Sequence, residues 1–221
     1  MNFLALVQRA HRERGISTAA PTSVVGASDR NQKTIDAVAD AWAELQAERD
    51  WKWMRATTDT PLTIGQQTYT AAQLGIATRF GRWRHESSDY APILYVAGAL
   101  NTLWELIQWD LDNFRKLYLY RLQASTTPIA FAIDETEQFL VGPQPALAYQ
   151  LRAEYWKEPS VLAADADTPD MPSRFHMLMV WRALQDLAKT DAAPELLAKA
   201  EKNYGDLHDK ILFDQARLPS L

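Results

Sequence analysis

The 221-residue chain contains no cysteine. That single absence excludes disulfides, thiolate nucleophiles and cysteine-ligated zinc or iron–sulfur centres. Histidine is scarce: His11, His85, His176 and His208 stand far apart, in no HExxH or other metal-ligand spacing. A glycine-rich phosphate loop is missing, and Gly26-Ala27-Ser28 lacks the glycine that would complete a nucleophile elbow. No apolar run approaches the ~18 residues that suggest a membrane span. The opening stretch Met1 to Arg9 has too short an apolar core, and no basic leader, to read as a signal peptide. A basic surplus is also missing: the net charge of −5 argues against a dedicated nucleic-acid binder. These absences point to a cytoplasmic, cofactor-free protein with no metal site and no catalytic constellation.

What is present is ordinary for a globular chain, 47% apolar and 23% charged residues, enough to bury a core. Eight tryptophans supply large apolar area with a polar handle, for cores and interfaces alike. Phe3, Leu4, Val7 and Ala10 predict a first helix from Asn2 to Arg14, with Gly15 as its left-handed stop. Ile35, Val38, Ala39, Trp42 and Leu45 predict a second from about Asn31 to Arg49, with Asp36, Asp40, Glu44 and Glu48 opposite. Short strands are expected between Thr57 and Thr70, over Arg79–His85, Pro92–Val96, Ile129–Ile133, Phe139–Val141 and Ala148–Trp156. Between them, Asn101 to Tyr120 suits one or two short helices. Helix returns from Pro172 to about Lys189, and a last helix starts near Pro194, with Leu197, Ala200, Tyr204, Leu207 and Ile211 as its seam.

The pattern predicts an α+β protein. A helical bundle body, 1–50 with 172–213, is formed by the N- and C-terminal helices. It is interrupted by an antiparallel β-rich insert with short helices, 51–171, and followed by an extended C-terminal tail, 214–221.

Two segments invite a chemical reading. Asp165-Ala166-Asp167-Thr168-Pro169-Asp170 clusters carboxylates, but the sixth and twelfth positions of a calcium loop, glycine and glutamate, are here Asp170 and His176. Capping of the following helix is the better expectation. Arg79-Phe80-Gly81-Arg82-Trp83-Arg84-His85 mixes arginines and aromatics, as a nucleic-acid site would. On a strand, however, Phe80, Arg82 and Arg84 share one face and Trp83 takes the other. A subunit interface built on Arg79, Arg82, Trp83 and Arg84, with arginines pairing a neighbour's carboxylates, explains the stretch better.

Several stretches together resemble the head-to-tail adaptor (connector) proteins of tailed bacteriophages. They are Phe3-Leu4-Ala5-Leu6-Val7-Gln8-Arg9 leading to Gly15-Ile16-Ser17, and the helix from Ile35 running into Asp50-Trp51-Lys52-Trp53-Met54-Arg55. Phe114 to Tyr120, Pro128 to Ile133, Leu140-Val141-Gly142-Pro143, Tyr155 to Pro159 and Asp167 to Pro172 continue it. The resemblance spans nearly the whole chain, through packing and turn patterns rather than signature chemistry.

It implies a non-enzymatic virion protein of the neck, assembled in the host cytoplasm. Such a protein forms a closed ring of about twelve copies between the portal protein and the tail or nozzle proteins. Genome DNA passes through the lumen without specific binding, repelled by lining carboxylates. The stretch that matches the portal-binding segment is Ile211, Leu212, Phe213, Leu218 and Leu221; which carboxylates line the channel depends on the fold, and the polar face of the second helix, Asp36, Asp40 and Glu44, is the candidate. Another neck or tail-completion protein, such as a terminator, stands as the structural alternative. A small hydrolase with spatially assembled carboxylates is the alternative from another class.

Overall fold

The computed structural model describes residues 1–15, 19–27, 29–85, 90–121 and 123–215. Among the described residues the fold is α+β, with five α-helices and two sheets. The chain divides into two compact units, Met1–Met54 with the described part of Pro159–Leu221, and Arg55–Glu158.

The first unit is helical. α1 (Phe3–Glu13) is capped by the Asn2 side chain, which accepts from the Ala5 amide. The first-turn amides of Phe3 and Leu4 donate to the carbonyls of Asp167 and Asp165, so two of the orphan donors of α1 are satisfied from a distant loop. α2 (Asp29–Ala47) buries Ile35, Val38, Ala41, Trp42 and Leu45 and leaves its carboxylates outside. α4 (Met177–Thr190) packs against α1, α2 and α5 (Pro194–Gln215). The sequence pattern predicts one apolar stripe on α4, yet Leu178, Met179 and Ala183 are buried as well as Val180, Trp181, Leu184 and Leu187. A helix with neighbours on three sides needs an apolar surface nearly all round. α5, packed on α4, buries fully only Ala200 and Ile211 of its predicted seam.

Buried polar groups in this unit are matched across long sequence separations. The Trp42 indole donates to Ser160 Oγ at 3.1 Å, and the Gln46 amide group bonds the Ser160 carbonyl and amide at 2.9 and 2.7 Å. The Trp51 indole donates to the Leu45 carbonyl, and its ring stacks on Trp53 at 4.4 Å. Arg14, at the end of α1, clamps Asp191 through two bonds of 2.6 and 2.8 Å and reaches Thr34 Oγ1 on α2 at 3.1 Å. A paired, fully hydrogen-bonded guanidinium is the form in which a buried charge is tolerated.

The second unit is a pair of stacked sheets. In the first, β9 (Gln150–Lys157) is central: β1 (Arg55–Pro61) runs antiparallel along one side, from Arg55↔Trp156 to Pro61↔Gln150. β4 (Ile93–Val96) and β3 (Phe80–Trp83) share its other side, and β5 (Ala99–Glu105) ends the sheet beyond β4. The second sheet has the order β2 (Thr68–Tyr69), β8 (Phe139–Gly142), β7 (Ala130–Ile133), β6 (Ile107–Gln108), with β6 parallel to β7. The alternation read in β9 is observed: Leu151 and Ala153 enter the core and Arg152 faces out.

Between the sheets lie Trp83, Leu94, Leu151 and Ala153 from one and Tyr69, Phe131, Phe139 and Val141 from the other. The far face of the second sheet is also covered: Ala130, Ala132 and Leu140 pack against Phe114 and Tyr118 of α3 (Leu111–Phe114) and the π-helical turn after it. Gly142 leaves the room for this. A Cβ there would stand 2.6 Å from the Tyr118 ring and 2.9 Å from Phe114.

Two expectations are corrected here. The segment 101–108, expected to be helical, is strand: β5 and β6, joined through the buried Leu106. Helix begins only at Leu111, where Asp110 accepts from the Asn113 amide as N-cap. The last helix extends through Asp214 and Gln215, which the sequence reading places in the tail.

Candidate functional site

The exposed acidic row on α2 follows from i, i+4 spacing: Asp36, Asp40 and Glu44 lie on the solvent side, and Glu48, one residue past the helix end, continues the row. Asp36 accepts from the Gln32 amide at 2.7 Å. Glu44 pairs with Arg182 of α4 at 2.7 Å, and Glu48 accepts from His208 of α5 at 2.7 Å. Tyr204 stacks on His208 with ring centroids 5.3 Å apart. Burial raises the Tyr204 phenol pKa, and the Glu48 carboxylate adds to the effect. Glu44, Leu45, Ala47, Glu48, Arg182 and Tyr204 line an open groove of about 450 Å³ in the helical unit. Both of its carboxylates already carry partners, Arg182 and His208.

The C-terminal candidates separate. Ile211 is fully buried in the core of its own unit, Leu212 is half-buried, and Phe213 is 84% exposed. Leu218 and Leu221 lie outside the described residues. Phe213 is held next to fixed neighbours: Asp214 pairs with Arg174, and Gln215 Oε1 accepts from the Lys52 amide at 3.1 Å.

The arginine-rich stretch is tied to its own sheet. Trp83 is buried, and its indole donates to the Glu137 carbonyl at 2.9 Å. Arg84 pairs with Glu154 at 2.6 Å and lies over the Tyr90 ring; Arg79 donates twice to the Glu158 carbonyl, at 3.2 and 2.8 Å. Arg82 is half-buried on β3. The predicted face assignment fails because the β3–β9 register shifts between Phe80 and Arg82. That irregularity puts Phe80 and Trp83 in ring contact, at 4.9 Å, on one side. It occurs at Gly81, where a Cβ would stand 2.9 Å from the Trp156 carbonyl oxygen.

The carboxylates of the acidic loop hold backbone rather than a helix end. Asp165 accepts from the Val24 amide at 2.6 Å and Asp167 from the Ala163 and Ala164 amides at 2.7 Å, bonds that keep the Asp167 pKa below its ordinary value. No side chain caps α4. Among the described residues, no three His, Asp or Glu side chains are grouped to hold a metal ion.

Sequence reasoning missed the exposed edge formed by β5 and β6. Leu103, Glu105 and Ile107 are exposed while Trp104 is half-buried and Leu106 buried. The alternation is one of exposure and not of residue type, Leu103-Trp104-Glu105-Leu106-Ile107, so the sequence pattern does not announce it.

Two units, one helical and one a pair of stacked sheets, define the chain as an α+β protein. Over residues 1–218 the chain matches the SU10 adaptor protein family, and it belongs to that family. The resemblance carried by the packing and turn patterns is thereby shown, and the chain is a structural bacteriophage adaptor, a component of the virion. No curated protein matches it. Among the described residues no helix is long and apolar enough to cross a membrane.

Proposed function

We propose that copies of this chain form a ring between the portal and the tail, joining head to tail around a channel for DNA. The observation that carries the reading is the family match over residues 1–218. The helices from the two ends of the chain form the body of the ring, and the β-rich segment is an insert in it. Phe213, with Leu212 and the following segment that contains Leu218 and Leu221, docks in an apolar groove of the portal. Ile211 anchors the helix from inside its own unit. An 84%-exposed phenylalanine near the end of a packed helix supports this, because removing its ring from water on docking is favourable by about 1.5–3 kcal/mol.

Asp36 and Asp40, with the paired Glu44, face the channel. Carboxylates there repel phosphate, whereas each lysine or arginine on a phosphate would add affinity and retard passage.

Electron microscopy of the purified protein with and without isolated portal tests the reading. Rings seated on portal are expected, and a monomer that ignores portal overturns it. Binding to the tail tube without portal would instead indicate a terminator. Removal of residues from Ala216 onward preserves the Asp214 and Gln215 contacts. Combined with Phe213→Ser, it is expected to leave the fold intact and abolish attachment.

A further inference from the structure

The chemistry sought at Arg79–His85, cations beside an open aromatic face, stands instead at the corner where α3 follows β6. Trp109, Asn113, Lys116, Leu117 and Arg121 line an open recess of about 280 Å³ within the β unit. Asn113, Leu117 and Arg121 recur at four-residue steps with Lys116 between them, so one side of α3 and its π-helical continuation supplies four of the five. Trp109 enters from the end of β6.

The tryptophan is fixed from behind. Its amide donates to the Phe131 carbonyl at 2.9 Å, and its ring meets that of Tyr118 edge-on at 6.0 Å, while 37% of the residue stays open to solvent. Tyr118 is itself buried and in ring contact with Phe114 at 5.0 Å. The π-helical turn Arg115–Leu119 is a rare conformation, found mostly at functional sites.

The cations of the recess, by contrast, are uncommitted. Other arginines of this unit are taken up by carboxylates: Arg84 by Glu154, Arg152 by Asp59, Arg115 by Glu135. Among the described residues, Lys116, Arg121 and the Asn113 side chain have no hydrogen-bond or ion-pair partner. The acidic groups of the corner act elsewhere. Glu135 binds Arg115 at 2.7 and 3.0 Å, Asp110 accepts from the Asn113 amide at 3.2 Å, and the charge of Asp112 falls on Arg115.

An indole face, a free amide and two unpaired cations select a ligand that is flat, hydrogen-bonding and anionic. A nucleotide is all three: its base stacks on the indole, the base edge meets the amide and the phosphates meet the cations. An acidic peptide would satisfy the cations and leave the indole face to water. The recess is slightly smaller than the ~300–1,000 Å³ of ordinary ligand pockets, which suits one base rather than several.

We propose that this recess binds single-stranded nucleic acid, with one base on Trp109 and the flanking phosphates on Lys116 and Arg121. Duplex DNA keeps its base faces inside the stack. A passing duplex is therefore not held here, whereas an unpaired strand or a frayed end is. The site stands apart from the ring reading and does not depend on it.

The test titrates the full-length protein into a fluorescein-labelled oligothymidylate about eight nucleotides long, with anisotropy read between about 50 and 200 mM salt. Two phosphate contacts on a single strand predict a log–log salt slope of about −1.4. Lys116→Ala and Arg121→Ala are each expected to halve that slope, and Lys202→Ala, which removes an exposed charge from α5, to leave it unchanged. Trp109→Ala is expected to weaken binding about five- to hundredfold, and Trp109→Tyr to restore most of it. Absence of binding at the lowest salt overturns the proposal, as does a blunt duplex bound as tightly as the single strand. Displacement of the strand by an oligoglutamate peptide of equal charge would assign the recess to acidic protein instead. Unchanged binding in a folded Trp109→Ala protein, or an equal loss in Lys202→Ala, also overturns it. Should Trp109→Ala fail to fold by circular dichroism, the double variant Lys116→Glu, Arg121→Glu at two exposed positions decides, and retained binding there overturns the proposal.

Discussion

The two units reach order by different means. The helical unit is sewn together by side-chain bonds between distant segments: Arg14 to Asp191, Trp42 and Gln46 to Ser160, Lys199 to Glu13. The β unit relies on strand ladders and a run of aromatic contacts through Trp83, Phe139 and Phe131. The first arrangement makes each helix depend on partners elsewhere in its unit. The second is locally redundant, so an edge can be given over to exposed apolar residues while the core remains intact.

The largest test of that difference is Trp42→Ala, which removes a buried indole and its bond to Ser160. A loss of about 3–5 kcal/mol is expected, read by urea unfolding with a probe in each unit. A β-unit signal that falls with the helical one would break the comparison.

Arg14→Ala comes next. The guanidinium side chain is 2% exposed and its partner Asp191 32%. Loss of its charge-assisted bonds is expected to cost about 1.5–3 kcal/mol, with the same measurement. In the β unit, Gly142→Ala drives a methyl into Tyr118 and Phe114 and is expected to cost about 1–3 kcal/mol by overpacking. An unchanged unfolding midpoint would show that α3 is not firmly seated.

A graded effect should come from pH. Burial lowers the pKa of His176 and of His11, with the Met1 ammonium adding to the shift at His176 and Arg14 to that at His11. The unfolded chain therefore binds protons first as pH falls below the ordinary value of 6.5. Stability is full above that pH and declines below it, until the folded-state pKa values are passed. Urea midpoints measured from pH 8 down to 5 check this. A shallower decline is expected in His176→Gln, and a helical unit indifferent to pH would count against the buried histidines.

The smallest effect has the opposite sign. Gly205 sits inside α5 with open space around its missing side chain, so Gly205→Ala is expected to stabilise by about 0.5–1 kcal/mol.

Much of the fold was legible where periodicity and burial agree. The stripe on α2 and the alternation of β9 each face one core, so residue type reports position directly. The segment 101–108 misled because Leu103, Leu106 and Ile107 mimic helical spacing. Their apolar character comes from an exposed edge as well as from the core, which inverts the usual rule. The face assignment at Arg79–His85 failed through one register shift at Gly81, a tertiary accommodation to the Trp156 carbonyl that no local pattern announces. The acidic face of α2 was readable from spacing. Its pairing of Glu48 with His208 was not, because the partners stand 160 residues apart.

The chain leaves the helical unit at Met54 and re-enters it at Pro159, with 104 residues, 55 to 158, in between. A ribosome adding about 5–20 residues per second needs roughly 5–20 s to cross that interval. α1 and α2 emerge first but cannot meet Ser160, α4 or Asp191 until it is over. The β unit is made before they can, so helices synthesised ahead of it are completed after it. A nascent chain therefore cannot present a finished helical body to its partners before α4 and α5 exist.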